Sequence, residues 1–228
     1  MPILTADHDP LATPLYSMQE AARIVDMPAN TFHTWARGYR YKGIDGTQHD
    51  IDALITTTGV GRGPVVPFVG LSEAYVLNAF RGAGVPMQRI RPALSKLESE
   101  FGMHAALASE QLKTDGAEVL WEFGEETDDA ELRDSLVVVR SGQMVFRDVI
   151  EKYLRTITYV YGRVSLIRLP QFVPEVVVDP ERNFGQPTLA RRGIRVADVR
   201  ARLDAGEPAD QVADDFRLEL ADVLALAA

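Results

Sequence analysis

The sequence contains no cysteine. That removes disulfides, thiol catalysis and cysteine-ligated zinc from the available chemistry, and it fits a reducing compartment. Histidine is scarce as well. His8, His33, His49 and His104 fall in no metal-ligand spacing such as H-E-x-x-H, and His49-Asp50-x-Asp52 reads as a solvated loop. No run of 18 apolar residues occurs, so no membrane-spanning helix is expected. The N-terminus, Met1-Pro2-Ile3-Leu4-Thr5-Ala6-Asp7, lacks a basic stretch followed by an apolar one and does not read as a signal peptide. These absences predict a cytoplasmic protein. Phosphate-cradling motifs are missing too. Gly59-Val60-Gly61-Arg62-Gly63 lacks the Lys-Ser/Thr of a P-loop and reads as a flexible loop. No catalytic residue, metal site or cofactor is expected, and the chain is read as a non-enzyme.

With 228 residues, 46% of them hydrophobic, the chain can bury a core and form one or two domains plus small modules. Its net charge of −9 argues against a general nucleic-acid coat. The acidity is local, however. Residues 106–134 hold two basic against ten acidic residues, a net of −8, whereas residues 135–228 hold 13 of each. Within the first 105 residues, the stretch 23–42 carries four basic residues against Asp26, a net of +3. An N-terminal DNA-binding surface is therefore compatible with the overall charge. The run Glu125-Glu126-x-Asp128-Asp129 has few apolar neighbours and reads as solvated charge rather than as a metal-dependent nuclease site.

Residues 1–14 form a polar, proline-containing stretch and read as a flexible tail. Ser17-Met18-Gln19-Glu20 has the form of a capping box and predicts a helix to about Val25, broken by Asp26-Met27-Pro28. A second helix is expected over Ala29–Arg37, with Phe32, Trp35 and Ala36 on one face, ended by Gly38. The glycine- and threonine-rich stretch Gly38–Pro67 reads as a wing-like hairpin and loop. Further helices are expected from Ser72, as N-cap, to Arg81, and from Pro86 to Phe101. Beyond these, Val119–Trp121 reads as a strand, Leu136–Arg140 with Gln143–Phe146 as a hairpin, and Val149–Ile157 as a helix. Val164–Leu169 reads as a strand and Pro170–Pro174 as a linker. No repeat of fixed period is evident.

Two stretches carry family resemblances. Tyr16–Phe101 resembles the MerR-like winged helix-turn-helix class: Ser17–Ala22 is similar to its opening helix and Asn30-Thr31-Phe32-His33-Thr34-Trp35 to its recognition helix. Phe80-Arg81-Gly82-Ala83-Gly84-Val85-Pro86-Met87-Gln88-Arg89-Ile90-Arg91 is similar to its later helix pair. If Phe32, Trp35 and Ala36 face the core, then Asn30, Thr31, His33, Thr34 and Arg37 face outward. Such side chains suit base edges and phosphates in a major groove, and Arg40 and Lys42 in the following loop suit backbone phosphates.

The second stretch is Gly185-Gln186-Pro187-Thr188-Leu189-Ala190-Arg191-Arg192-Gly193-Ile194-Arg195-Val196. It is followed by Val199-Arg200-Ala201-Arg202-Leu203, Ala205-Gly206-Glu207-Pro208 and Val212-Ala213-Asp214-Asp215-Phe216. This order resembles a small C-terminal domain of unknown function found in bacterial antitoxins of the VapB type. The resemblance implies a three-helix antitoxin-like domain and a PIN-domain ribonuclease as partner, whose acidic, magnesium-binding pocket such antitoxins often block with an arginine or an aromatic side chain. Arg191, Arg192, Arg195 and Phe216 are the candidates, since a guanidinium pairs bidentately with carboxylates. A basic turn that only holds the small domain together is the other reading of the same residues.

The fold class expected is mainly α with small β-hairpins (α+β). Residues 1–14 are the tail, 15–104 a MerR-like winged helix-turn-helix domain, 105–172 an acidic loop with a hairpin and helix, and 173–228 the antitoxin-like domain. The function expected is an antitoxin that neutralises a PIN-domain toxin of the VapC type and represses its own operon by binding operator DNA, as a homodimer and with no membrane partner. The alternative is a MerR-like, ligand-responsive transcription regulator without a toxin.

Overall fold

The computed structural model describes residues 9, 11–43, 46–59, 61, 63–82, 87, 90, 91, 94, 106–110 and 153–227. The expected strand Val119–Trp121, the hairpin Leu136–Phe146, the acidic run at 125–129 and most of the expected helix Pro86–Phe101 lie outside them. Of that helix, Met87, Ile90, Arg91 and Leu94 are described and are helical. The fold is α+β, with short antiparallel sheets beside the helices. The chain forms two compact units: Met1–Arg155 with Tyr159–Val164, and Thr156–Thr158 with Ser165–Ala228.

In the first unit, α1 (Met18–Ile24) begins with the expected capping box. The Ser17 hydroxyl accepts from the Glu20 N–H at 3.2 Å, and the Glu20 carboxylate accepts from the Ser17 N–H at 3.4 Å. The helix closes through Asp26, at φ +53, with Met27 N–H donating to the Ala22 carbonyl at 2.8 Å and Asp26 N–H to that of Arg23 at 3.2 Å. Helix α2 (Ala29–Arg37) follows Pro28 and has no side-chain cap. A capless nine-residue helix is marginal alone, so its packing decides. Phe32, Trp35 and Ala36 are buried against α1, and large buried apolar side chains contribute roughly 1.5–3 kcal/mol each.

Helix α3 (Phe68–Gly82) starts four residues before the expected Ser72 cap. Ser72 is buried inside the helix, and its hydroxyl donates back to the Phe68 carbonyl at 2.8 Å. The helix is buried on nearly every side. It ties down the helix-turn-helix joint, because the Asn78 side-chain amide donates to the Val25 carbonyl at 2.9 Å and the Asp26 carbonyl at 3.3 Å. The strands β1 (Pro14–Tyr16) and β4 (Val66–Pro67) pair antiparallel, while β2 (Tyr39–Lys42) and β3 (Gln48–Ile51) form a hairpin within the stretch read as a wing. Asp9 and Leu11–Pro14, part of the stretch read as a tail, are held in place. Asp9 pairs with Arg163, Val69 N–H donates to the Leu11 carbonyl at 3.1 Å, and Pro14 lies opposite Pro67. The Arg163 guanidinium holds the Asp9 carboxyl below its ordinary range.

The remaining strands are β5 (Ile157–Val160), β6 (Arg163–Arg168), β7 (Val176–Val178) and β8 (Thr188–Leu189), in the sheet order β5-β6-β7-β8. Ile157, expected to end a helix, opens β5, while Tyr153 and Leu154 before it are helical. The Pro170–Pro174 stretch, expected as a linker, is the connection from β6 to β7, closed by Leu169 N–H donating to the Val176 carbonyl at 2.9 Å.

Three helices follow in the second unit: α4 (Val196–Asp204), α5 (Ala209–Phe216) and α6 (Leu220–Ala227). They pack through Val199, Val212, Ala213, Val223 and Leu226, and Arg200 Nε donates to the Leu226 carbonyl at 2.9 Å. Helix α4 ends on Gly206, at φ +84. There Glu207 N–H donates to the Arg202 carbonyl at 3.1 Å and Gly206 N–H to that of Leu203 at 2.9 Å, and Pro208 then precedes α5. This is the same joint as the one between α1 and α2, with Ala205-Gly206-Glu207-Pro208-Ala209 in the places of Val25-Asp26-Met27-Pro28-Ala29. Only the turn is shared, so the two joints make no repeat of fixed period.

Candidate functional site

Helix phase sets what α2 presents to solvent. Trp35 is only 7% exposed and Phe32 is fully buried, which leaves Asn30, His33 and Arg37 exposed and Thr31 and Thr34 half-buried. The Thr34 hydroxyl donates to the Asn30 carbonyl at 2.9 Å. The face therefore offers amide, hydroxyl and imidazole groups and one guanidinium, with no acid on the helix to repel phosphate.

The wing is joined rigidly to this helix. Gly38 ends α2 at φ +67, and a Cβ there would overlap the Ile51 carbonyl oxygen, so the chain can turn directly into β2 only with glycine. The carbonyl of Trp35, near the end of α2, accepts Leu54 N–H at 2.7 Å and Ile55 N–H at 3.2 Å from beyond the hairpin. Register Tyr39↔Ile51, Arg40↔Asp50, Tyr41↔His49, Lys42↔Gln48 sorts the exposed hairpin into two faces. Arg40 and Lys42 lie on strand β2 rather than in a loop. Arg40 pairs with Asp50 at 2.9 Å, and both side chains are well exposed, so the pair contributes at most about 1 kcal/mol. Lys42 has no ion pair among the described residues.

The opposite face of the wing carries Tyr39 and Tyr41, 46% and 47% exposed, with the His49 ring stacked on Tyr41 at 4.9 Å and Tyr39 to Tyr41 at 6.2 Å. These aromatics were absent from the sequence-derived candidates. The alternation Tyr-Arg-Tyr-Lys was the signal available for them, hidden by placing Arg40 and Lys42 in a loop rather than on a strand of the hairpin.

The second candidate surface is the turn after β8. Leu189 N–H donates to the Ile194 carbonyl at 2.8 Å and Gly193 N–H to that of Leu189 at 2.8 Å, closing a compact loop with Arg191 and Arg192 exposed on it. Neither guanidinium has a partner among the described residues. The other two candidates are engaged within the fold. Arg195 makes a bidentate pair with Asp198, at 2.9 and 2.7 Å. Phe216 is half-buried beneath the Arg202 guanidinium, 5.4 Å from the ring centroid, and Arg202 also bonds Glu207 and, at 2.7 Å, Asp215.

Beside this turn lies a strained segment that the sequence did not disclose. Asn183, Phe184 and Gly185 all have positive φ, at 50°, 54° and 72°, a single left-handed turn closed by Gln186 N–H donating to the Asn183 carbonyl at 3.1 Å. The left-handed region costs ordinary residues roughly 1–2 kcal/mol, tolerable for glycine and asparagine but not for phenylalanine. The Asn183 side-chain amide donates to Thr188 Oγ1 at 3.0 Å and to the Gly193 carbonyl at 2.9 Å, which locks this segment to the arginine turn. The Phe184 ring is 83% exposed.

Both halves of the chain match known families. Residues 14–94 match the family described as "Putative DNA-binding HTH domain", and residues 176–228 match "Protein of unknown function (DUF433)". Over 212 residues, covering 89% of this chain and 88% of the relative, the chain is 47% identical to "Putative antitoxin VapB45" of Mycobacterium tuberculosis. It is 28% identical over 218 residues, 92% of this chain and 87% of the relative, to "Uncharacterized protein Rv2308" of the same organism. The fold is similar to the X-ray crystal structure of Rv2018 from Mycobacterium tuberculosis, with a TM-score of 0.75 and 39% identity, covering 95% of this chain and 98% of that one. Joining a helix-turn-helix domain to a DUF433 domain, and 47% identical to VapB45 across most of both chains, this chain belongs to the VapB45 family.

Proposed function

We propose that the protein is an antitoxin that binds and neutralises a PIN-domain ribonuclease toxin of the VapC type, and that it represses its own operon as a homodimer. The observation that carries this reading is the 47% identity to an antitoxin-named relative, sustained over 212 residues and both domains. Neutralisation is by stoichiometric binding rather than catalysis. The outward face of α2, Asn30, Thr31, His33, Thr34 and Arg37, is the DNA reader. Lys42 and Arg40 on the wing contact phosphates, and a two-fold dimer sets two α2 helices on symmetric half-sites. The toxin meets the second unit at Arg191 and Arg192, with Arg195, held by Asp198, and Phe216, packed beneath Arg202, as the further candidates.

The test is growth rescue. Cells expressing the ribonuclease encoded beside this gene should survive when the full chain is co-expressed. The Arg191/Arg192/Arg195→Ala variant should fail to rescue them while still shifting operator DNA in a gel. Rescue by the triple variant would place inhibition elsewhere.

One observation favours a second reading, a MerR-like ligand-responsive regulator. The first unit contains a cleft of about 260 Å³ lined by Leu11, Val69, Ala108 and Val164 with Arg163 and Ser109 as polar groups. A chain whose neighbouring frame encodes no toxin, and whose DNA affinity changes with a small molecule, would be of this second kind.

A further inference from the structure

We propose that Phe184 is the anchor of a partner-binding surface: a strained, outward-held ring on a segment fastened to the turn that carries Arg191 and Arg192, which fits a partner protein presenting an apolar socket for one aromatic ring with carboxylates on its rim. The proposal rests on the antitoxin reading and names the residue through which the toxin would be held.

Three observations converge on Phe184. The first is its backbone. Tyr161 also has a positive φ and is fully exposed, but it sits with Gly162 in a two-residue hairpin turn, where left-handed conformations match the twist of the strands. No hairpin demands a left-handed Phe184. Strain of this kind persists where surrounding contacts over-determine it, and it clusters at ligand clamps.

The second is rigidity. Asn183 is fastened to Thr188 and to the Gly193 carbonyl, and Thr188 Oγ1 donates in turn to the Gln186 carbonyl at 2.7 Å, so the ring projects from a pre-organised base. A partner burying it gains apolar contact at small cost in lost chain freedom.

The third is charge. Residues 179–195 hold Arg182, Arg191, Arg192 and Arg195 against Asp179 and Glu181. Arg195 is occupied by Asp198, and the Asp179 carboxylate accepts Glu181 N–H at 2.9 Å. Arg191 and Arg192 stand exposed, with no partner among the described residues, on the turn to which Asn183 is fastened, so guanidinium groups are available on the same segment, and aromatic and arginine side chains are the usual anchors of protein interfaces.

The experiment measures the affinity of the purified full-length protein for the purified ribonuclease encoded beside it, at two salt concentrations, together with its melting temperature. Phe184→Asn removes the ring with a residue that accepts the left-handed backbone, and Phe184→Gly does so by a second route. Both should keep or raise the melting temperature and weaken the complex about 100-fold, equivalent to about 2.8 kcal/mol at 1.4 kcal/mol per decade. Phe184→Tyr should bind within a few-fold of wild type, and Arg191/Arg192→Ala should bind more slowly and with less salt dependence. Wild-type affinity in Phe184→Asn and Phe184→Gly overturns the proposal and leaves the antitoxin reading standing. So does a change in self-association with toxin affinity intact, which would make the left-handed turn at Phe184 a contact between copies of this chain. A wild-type chain that forms no complex with the ribonuclease overturns both.

Discussion

The Glu73 carboxylate on α3 grips Thr56 twice, taking its backbone N–H at 2.6 Å and its hydroxyl at 3.1 Å. One helical turn away, a Cβ on Gly70 would overlap the Thr56 carbonyl oxygen. The chain returning from the wing is thus clamped against α3 by an acid and seated by a glycine.

This clamp makes stability pH-dependent. Burial pushes the Glu73 carboxyl up from 4.5 to about 7, against the two Thr56 hydrogen bonds, which favour the ionised form. Its folded pKa is raised, so the folded state holds the proton more tightly. The stabilisation is fully present below about pH 4.5 and is lost as pH rises through about 7, with a slope of at most roughly 1.4 kcal/mol per pH unit. Urea titrations from pH 4.5 to 8 should show wild type losing stability relative to Glu73→Gln as pH rises. A constant difference between the two would show that Glu73 does not titrate in this window.

Gly38→Ala is expected to destabilise the protein by more than about 2 kcal/mol, since it adds a left-handed alanine to a steric overlap with the Ile51 carbonyl. Chemical denaturation reads this directly. A variant as stable as wild type would show that the wing can swing away from α2.

Trp35→Ala should cost roughly 3–5 kcal/mol, as truncations of buried large aromatics do. A melting curve superimposable on wild type would mean that the tryptophan lies outside the core and that α2 is rotated from the phase described.

Arg37→Ala should weaken operator binding and lower the slope of log K against log salt by about 1, the signature of one lost phosphate contact. Its melting temperature should stay close to wild type, because Arg37 is exposed. Equal affinity in a gel-shift titration would exclude α2 as the reader.

The first two helices were legible in the sequence because each of their signals is local. Ser17 and Glu20 are three residues apart, Pro28 marks a boundary, and Phe32, Trp35 and Ala36 repeat with the helical period. Helix α3 was legible only in part. It is apolar on nearly all sides, so its first residues show no face, and Ser72 resembles a cap although its hydroxyl bonds back into the helix. The second unit divided in the same way. Gly206 and Pro208 announced their joint, but β7 is a run of three buried valines with no alternation of apolar and polar residues to mark it as a strand. The engagement of Arg195 with Asp198 and of Phe216 with Arg202 depends on helix phase and tertiary packing, and the left-handed turn at Phe184 contradicts the preference of its own residue. Composition shows the arginines of a site, but not which of them are already satisfied.

The joint that recurs at Val25–Ala29 and Ala205–Ala209 hands the chain to two short helices of opposite electrical character. Helix α2 carries Arg37 and no acid, whereas α5 carries Asp210, Asp214 and Asp215 and no base. A phosphate backbone approaching the second of these would meet repulsion where the first offers attraction. The molecule therefore carries one backbone joint in two electrostatic versions, one leading into a helix with a cation and no acid and the other into a helix with three acids and no base.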